Sequence, residues 1–229
     1  MTVKITNLRW LLGRLIFFAI CLSTCKQEDH RGAFNLSEAH DSIAAREIIL
    51  TAVNALKNSM ALIQTGDLIT RTGNDFTSQS LRKLNQRNTT YSHIGIAAWE
   101  ADSLVVYHAL GGEWNPNEEL QREAFLSFGN PQSNNRLGIF RLAGTRGLQD
   151  SIHAVANVFY KEKLAFDMDF DLHSNKKMYC AEFVAKTFQI AAGGKLIFAT
   201  SNIKSFVFFG VDDVFLHPQS RVVKEIIYR

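Results

Sequence analysis

"YSHIGIAAWEADSLVVYHALGG", Tyr91 to Gly112, holds two β-rich runs separated by only a few residues. Such a pair predicts an antiparallel hairpin. With the turn at Glu100 and Ala101, Trp99 lies opposite Asp102, and His93 then falls opposite His108 on the same face. Directly opposed Cβ atoms stand about 4.5–5.5 Å apart, which permits contact between the two imidazoles. A register different by one residue would send the two rings to opposite faces, so the pair depends on the turn. Either histidine alone would be read as an ordinary surface or core residue; two facing each other form a candidate site.

Upstream of the hairpin, Val53, Leu56, Met60 and Ile63 recur at steps of four and three and mark one face of a helix, with Asp41 or Ser42 as candidate caps. "TGDLITR" reads as a glycine turn entering a short strand. Downstream, residues 111–135 carry two of the three prolines with many Gly and Asn and predict a long irregular connection, the kind that often shapes a cleft. "RLGIFRL" returns as a strand, and Leu148, Ile152, Val155 and Phe159 have helical spacing. Apolar β-like pieces near 196–199 and 205–209 precede a final "RVVKEIIYR". Helices mixed with mostly local strand pairs indicate an α+β fold with an antiparallel sheet.

"KKMYCAEFVAKTFQI", Lys176 to Ile190, is an amphipathic helix with Cys180, Phe183, Val184, Phe188 and Ala191 on its apolar face. A start close to Met178 puts Cys180 in the first turn, where free amides and the macrodipole favour a thiolate and could hold an oxyanion. An inward cysteine is equally what packing alone would produce. A nucleophilic cysteine needs a base and the base an orienting partner, for which His93 and His108 are the candidates.

The first 24 residues carry Lys4, Arg9 and Arg14 without any acid, followed by an apolar run from Leu15 to Leu22 too short to span a bilayer. This is the profile of a signal peptide. "LSTC" after it resembles a bacterial lipobox, which implies lipidation of Cys25, although Thr24 departs from the usual small residue. The expected organisation is residues 1–24 as signal peptide, 25–40 as flexible tether and 41–229 as the functional domain, exported and membrane-anchored in the cell envelope. Without the first 24 residues, 22 of the 25 basic residues remain against 22 acids, which gives no support for nucleic-acid binding. Of Cys21, Cys25 and Cys180, only Cys180 is then a free thiol, worth flagging as reactive in an oxidising compartment.

Other patterns weigh less. "DMDFDLHSN" opens with the acidic spacing of an EF-hand, but Leu172 and Met178 occupy the places of its Gly and Glu, so calcium is not expected. The alternation of Phe166, Met168, Phe170 and Leu172 with acids instead reads as a strand with one apolar face. No His-Glu-x-x-His or Cys-x-x-Cys occurs, and neither metal nor cofactor is expected. "AAGG", Ala191 to Gly194, reads as a helix stop, and "SFVFFG" as core before lipid contact.

"LIQTGDLITR", the hairpin, "FDMDFD", "MYCAEFVAKTF" and "GVDDVFLHPQSRVV" together resemble the circularly permuted papain-like amidases, the YiiX-like group of the NlpC superfamily. Lecithin retinol acyltransferase and its relatives share the permuted order. The resemblance spans roughly residues 45 to 225, and its specific parts are His-x-Gly-Ile and, much later, Tyr-Cys-x-Glu before a helix. It implies Cys180 as nucleophile, His93 as base and His108 in the third polar place, where YiiX-like proteins often carry Glu and the acyltransferases His. The implied activity is cleavage of an amide bond in a peptidoglycan stem peptide or an N-acylated amino compound through a thioester, without cofactor. Acyl transfer or lipid ester hydrolysis is the alternative, and a non-catalytic binding module the third.

Overall fold

Apolar alternation along the chain builds a six-stranded antiparallel sheet, ordered β4-β3-β2-β1-β5-β8. The strands are β1 (Leu68–Gly73), β2 (His93–Glu100), β3 (Ser103–His108), β4 (Gln121–Ala124), β5 (Asn134–Leu142) and β8 (Ser220–Ile227). A separate hairpin pairs β6 (Ser201–Ile203) with β7 (Phe206–Phe208). The helices are α1 (Leu36–Ser59), α2 (Phe76–Leu81), α3 (Phe125–Phe128), α4 (Gln149–Lys161), α5 (Cys180–Ala191) and α6 (Val211–Phe215). The computed structural model describes residues 36–111 and 118–228. The predicted signal peptide and Cys25 lie outside the described residues, as does the tether up to residue 35; residues 36–40 belong to α1. The sheet and the helices packed on it belong to the unit Ser42–Arg229.

Strand side chains alternate between two apolar clusters, as the period of two requires. Leu68, Ile94, Ile96, Val105 and Tyr107 face Ile152 and Phe159 of α4, Phe183, Val184 and Phe188 of α5, and Val214 of α6. Ile69, Ala97, Leu104, Val106, Leu137 and Ile139 face Ala52 and Leu56 of α1 and Phe125 and Phe128 of α3. Both faces of the sheet are therefore covered. Gly66, at φ 86°, makes the turn into β1, a conformation glycine adopts without a Cβ penalty. Beside it Asp67 receives Arg141 of β5 in a two-pronged ion pair, Nε to Oδ1 and Nη2 to Oδ2, each 2.6 Å.

Several expectations change. The hairpin turns at Ala101 and Asp102, so that Glu100 pairs with Ser103 and Trp99 with Leu104 rather than with Asp102. Ala101 takes up the left-handed conformation at φ 50°, which two-residue hairpin turns favour for their twist. The register is thus displaced by two residues from the expected one, and a displacement of two keeps every side chain on its face. Residues 111–135 are not wholly irregular, since β4, α3 and the start of β5 lie within them. "FDMDFD" is not a strand: the Asp167 carboxylate accepts the N–H groups of Asp169 (2.9 Å) and Asp171 (2.6 Å), and Phe170 sits at φ 54°. Local side-chain bonds to the backbone displace the ladder there. Residues 196–199 form no strand, and α1 runs through Asp41 and Ser42, which therefore do not cap it.

Candidate functional site

The first strand residue of β2 is His93, and its Nε2 lies 2.9 Å from Nδ1 of His108, the last residue of β3. The rings meet edge to face, with centroids 5.0 Å apart and planes at 87°. The two histidines are diagonal neighbours rather than directly opposed, a consequence of the Ala101–Asp102 turn. Gly95 leaves the room this reach needs, since a Cβ there would lie 3.0 Å from the His108 Cβ and 2.6 Å from a Val106 methyl. On the next strand, Glu123 Oε2 lies 3.1 Å from His108 Nε2. His93, His108 and Glu123 thus run diagonally across three adjacent strands, fifteen residues apart at each step.

Hydrogen-bond logic orders the protons along this line. The His108 contact holds the Glu123 carboxyl below its usual range, so it is ionised and accepts from His108 Nε2–H. His108 Nδ1 is then an acceptor, and His93 must present Nε2–H to it. The nitrogen left with a free lone pair is His93 Nδ1. Burial, followed by the nearby charges of Arg71 and His108, holds His93 well below the ordinary histidine value, and burial also lowers His108. Both rings are neutral near pH 7, and His93 is in the state a general base requires.

Arg71 of β1 pairs directly across from His93. Its Nη1 donates to the Phe128 carbonyl at 2.9 Å and its guanidinium stacks 4.4 Å above the Phe128 ring, the same ring that flanks His93 and His108. Arg71 and Glu123 are absent from the sequence-based candidates. Arg71 had a signal: it shares a face with Ile69 and is the one charged residue of β1.

Cys180 is the first residue of α5, as the amphipathic pattern predicts, with Tyr179 at the cap. The backbone N–H groups of Ile94, Ala181 and Cys180 itself approach the sulfur. The Cys180 sulfur therefore lies against the peptide that joins His93 to Ile94, at the very start of β2. The imidazoles lie beside Phe128, and α5 packs on the sheet face that carries Ile94 and Ile96. Among the described residues no hydrogen bond joins the sulfur to an imidazole; the thiol meets backbone amides instead. Although Cys180 keeps some solvent exposure, desolvation by its surroundings pushes the thiol up to about 11, and the amides and the Arg71 charge offset this only in part. The helix N-terminus was expected to favour a thiolate; desolvation outweighs it, and the resting group is a neutral thiol.

The first turn of α5 is anchored from both ends. Glu182, buried, accepts the Tyr179 N–H at 3.4 Å, and desolvation raises its carboxyl to about 7 against the opposing pull of Lys186. Lys186 donates to the carbonyls of Leu172 (3.0 Å) and Ser174 (2.7 Å), fastening the 166–178 loop to the helix. The Tyr179 hydroxyl accepts the Phe209 N–H at 2.7 Å. Among the described residues no three His, Cys, Asp or Glu side chains group as a metal ligand set would.

Among solved structures the chain is similar to the metalloprotein yiiX from Escherichia coli O157:H7, DUF1105, with a TM-score of 0.58 and 19% identity, covering 70% of this chain and 96% of that one. No protein-family model matches the chain, and no curated protein matches it. At this identity the likeness concerns the fold alone: α+β, with an antiparallel sheet packed against helices.

Proposed function

We propose that this protein is a cysteine hydrolase that cleaves an amide bond, in a peptidoglycan stem peptide or an N-acylated amino compound, through a thioester on Cys180. The observation that carries the reading is the proton-ordered line Glu123–His108–His93, which ends at the first residue of β2 with a free lone pair on His93 Nδ1. As the Cys180 sulfur bonds to the substrate carbonyl carbon, its proton passes to His93 Nδ1. The carbonyl oxygen becomes an oxyanion, for which the unpaired amides at the start of α5 are the donors at hand. The new positive charge on His93 is shared through Nε2–H with His108 and Glu123. His93 Nδ1–H then protonates the departing nitrogen, the C–N bond breaks, and a thioester remains. Water attacks the thioester, gives its proton to His93, and releases the acid with the thiol restored. His108 and Glu123 act as positioning residues for His93.

In this reading the chain works in the cell envelope, exported by residues 1–24 and held by lipid on Cys25. Incorporation of labelled palmitate by the wild type and not by Cys25→Ala would support the anchor; equal labelling would remove it. A panel of muropeptides, N-acyl amino acids and phospholipids tests the reaction. Amide cleavage that disappears in Cys180→Ser is expected, and cleavage that survives the substitution overturns the proposal.

One observation favours lipid acyl transfer as a second reading. Phe206 and Val207 are exposed on the β6–β7 hairpin, and Phe170 joins Phe206 (6.2 Å) to Tyr179 (4.6 Å), the residue before Cys180. Turnover of phospholipid with no amide cleavage in the panel would put this reading first. No turnover of any member, with binding intact in Cys180→Ser, would leave a binding module.

A further inference from the structure

Arg71 is an arginine whose guanidinium is only partly satisfied. Of its five N–H donors one is used, on the Phe128 carbonyl, and among the described residues no carboxylate forms an ion pair with it. The ring of Phe128 covers one face of the group. Glu123 and Asp75 act on it only through space, and burial lowers its pKa despite them. The group is half-buried, so the donors that the protein leaves free are open to a ligand. What the remaining edge presents is the planar fork that fits an oxyanion in two-pronged fashion.

Its placement says which oxyanion is relevant. Arg71 stands directly opposite His93 on the neighbouring strand, and its charge reaches the Cys180 thiol. A group bound there would belong to a molecule whose reacting carbon lies at the sulfur. Resting on the amide-hydrolase reading above, we propose that Arg71 binds a carboxylate of the substrate close to the scissile amide. The substrates are then N-acyl amino acids or peptides with a free carboxylate beside the cleaved bond, and neutral amides are poor ones. Arg71 is a specificity determinant, and its partner is a carboxylate, a planar group whose two oxygens match one edge of the fork.

Alkylation of Cys180 in the full-length protein tests this without requiring turnover. Two matched pairs of probes place a carboxylate or its neutral amide at two distances from the reacting carbon: iodoacetate with iodoacetamide, and N-iodoacetylglycine with N-iodoacetylglycinamide. Rates at Cys180 are read by mass spectrometry at pH 9, each beside the denatured protein. In at least one pair the carboxylate-to-amide rate ratio should exceed that of the denatured chain by about tenfold, the effect of one hydrogen bond to a charged group. Arg71→Gln should return the ratio to the denatured value, and Arg71→Lys, which keeps charge and bulk, should retain part of it. Because the ratio is internal to each variant, a general change in thiol reactivity cancels. Equal ratios in the folded wild type, Arg71→Gln and the denatured chain, with Cys180 still reactive, would overturn the carboxylate site and leave the nucleophile standing. Protection by inorganic phosphate without preference for either carboxylate probe would overturn the carboxylate assignment. A folded Cys180 inert to all four probes would sink the nucleophile and this inference together.

Discussion

The two halves of the candidate site are built by different means. The histidine half is made of neighbouring strands, where turn geometry and ladder register place His93, His108 and Glu123 within hydrogen-bond reach at 2.9 and 3.1 Å. The thiol half arrives from a helix much further along the chain, and the polar groups nearest the Cys180 thiol are backbone amides. Burial acts on both but resolves differently. The histidine line ends in an ionised, half-buried glutamate that can absorb charge, whereas the thiol, with no cationic hydrogen-bond partner to hold a thiolate, is pushed up to about 11 by desolvation. A base that is neutral at rest and a thiol that is protonated at rest form a pair with the right proton inventory for attack. Charge separates only when substrate arrives.

If that contrast is right, the base should matter most. His93→Ala is expected to lower amide cleavage by about 10²–10⁴-fold, the range for loss of a general base, with the thiol still present by mass. A full rate in this variant would remove His93 from the reaction. Gly95→Ala comes next, because a Cβ would press on Val106, the Tyr107 carbonyl and His108. It should cost about 1–3 kcal/mol of stability by overpacking and, through displacement of His108, about 10²-fold in rate. Unchanged melting and rate would show that the diagonal reach does not need this glycine.

Smaller effects belong to the far end of the line. His108→Asn keeps an acceptor for His93 Nε2–H and should be faster than His108→Ala; parity of the two would deny the acceptor role. Glu123→Gln should slow the reaction by about tenfold, on the scale of one charge-assisted hydrogen bond. Its acid limb should also move to lower pH, since the carboxylate stabilises the protonated form of the histidines and its loss makes them weaker bases. An unmoved acid limb would reduce Glu123 to a packing role.

The smallest effect is in stability against pH. Cys180 has a raised folded value, so its contribution is present below the ordinary thiol value and is lost as pH rises toward about 11. His93 has a depressed value, so its contribution is present above the ordinary histidine range and is lost as pH falls. Denaturation by urea at a series of pH values should show the alkaline decline flattened in Cys180→Ala. An identical alkaline limb in both proteins would contradict the buried neutral thiol.

How much of this was readable from residues alone follows from the same contrast. The hairpin pattern led to two histidines on one face even though the turn lies one residue later than expected, because the two-residue displacement of register preserves parity. An Asn-Gly or Asp-Gly pair would have marked the turn; Ala101 with φ 50° carries no such mark. Glu123 stayed hidden because β4 has only four residues and sits in a stretch rich in Gly, Asn and Pro, with no apolar alternation to reveal it. Cys180 at a helix start followed from periodicity, but the height of its pKa did not, since desolvation depends on long-range packing. In "FDMDFD" alternation misled, because Asp167 spends its carboxylate on the backbone N–H groups two and four residues on. The fold class, α+β with an antiparallel sheet, followed from element order, while the pairing of β1 with β5 and of β5 with β8 required the structure.

The most direct test of the central claim is to look for the thioester itself. The wild-type protein, mixed with an N-acyl amino acid or muropeptide that it cleaves, is quenched in acid within milliseconds to seconds and analysed by mass spectrometry. The account predicts the acyl mass on the peptide containing Cys180, appearing with release of the amine and absent from Cys180→Ser, which should be inactive by at least about 10³-fold. Amide cleavage that proceeds in Cys180→Ser at the wild-type rate, with no acyl mass on Cys180 in either protein, would contradict it.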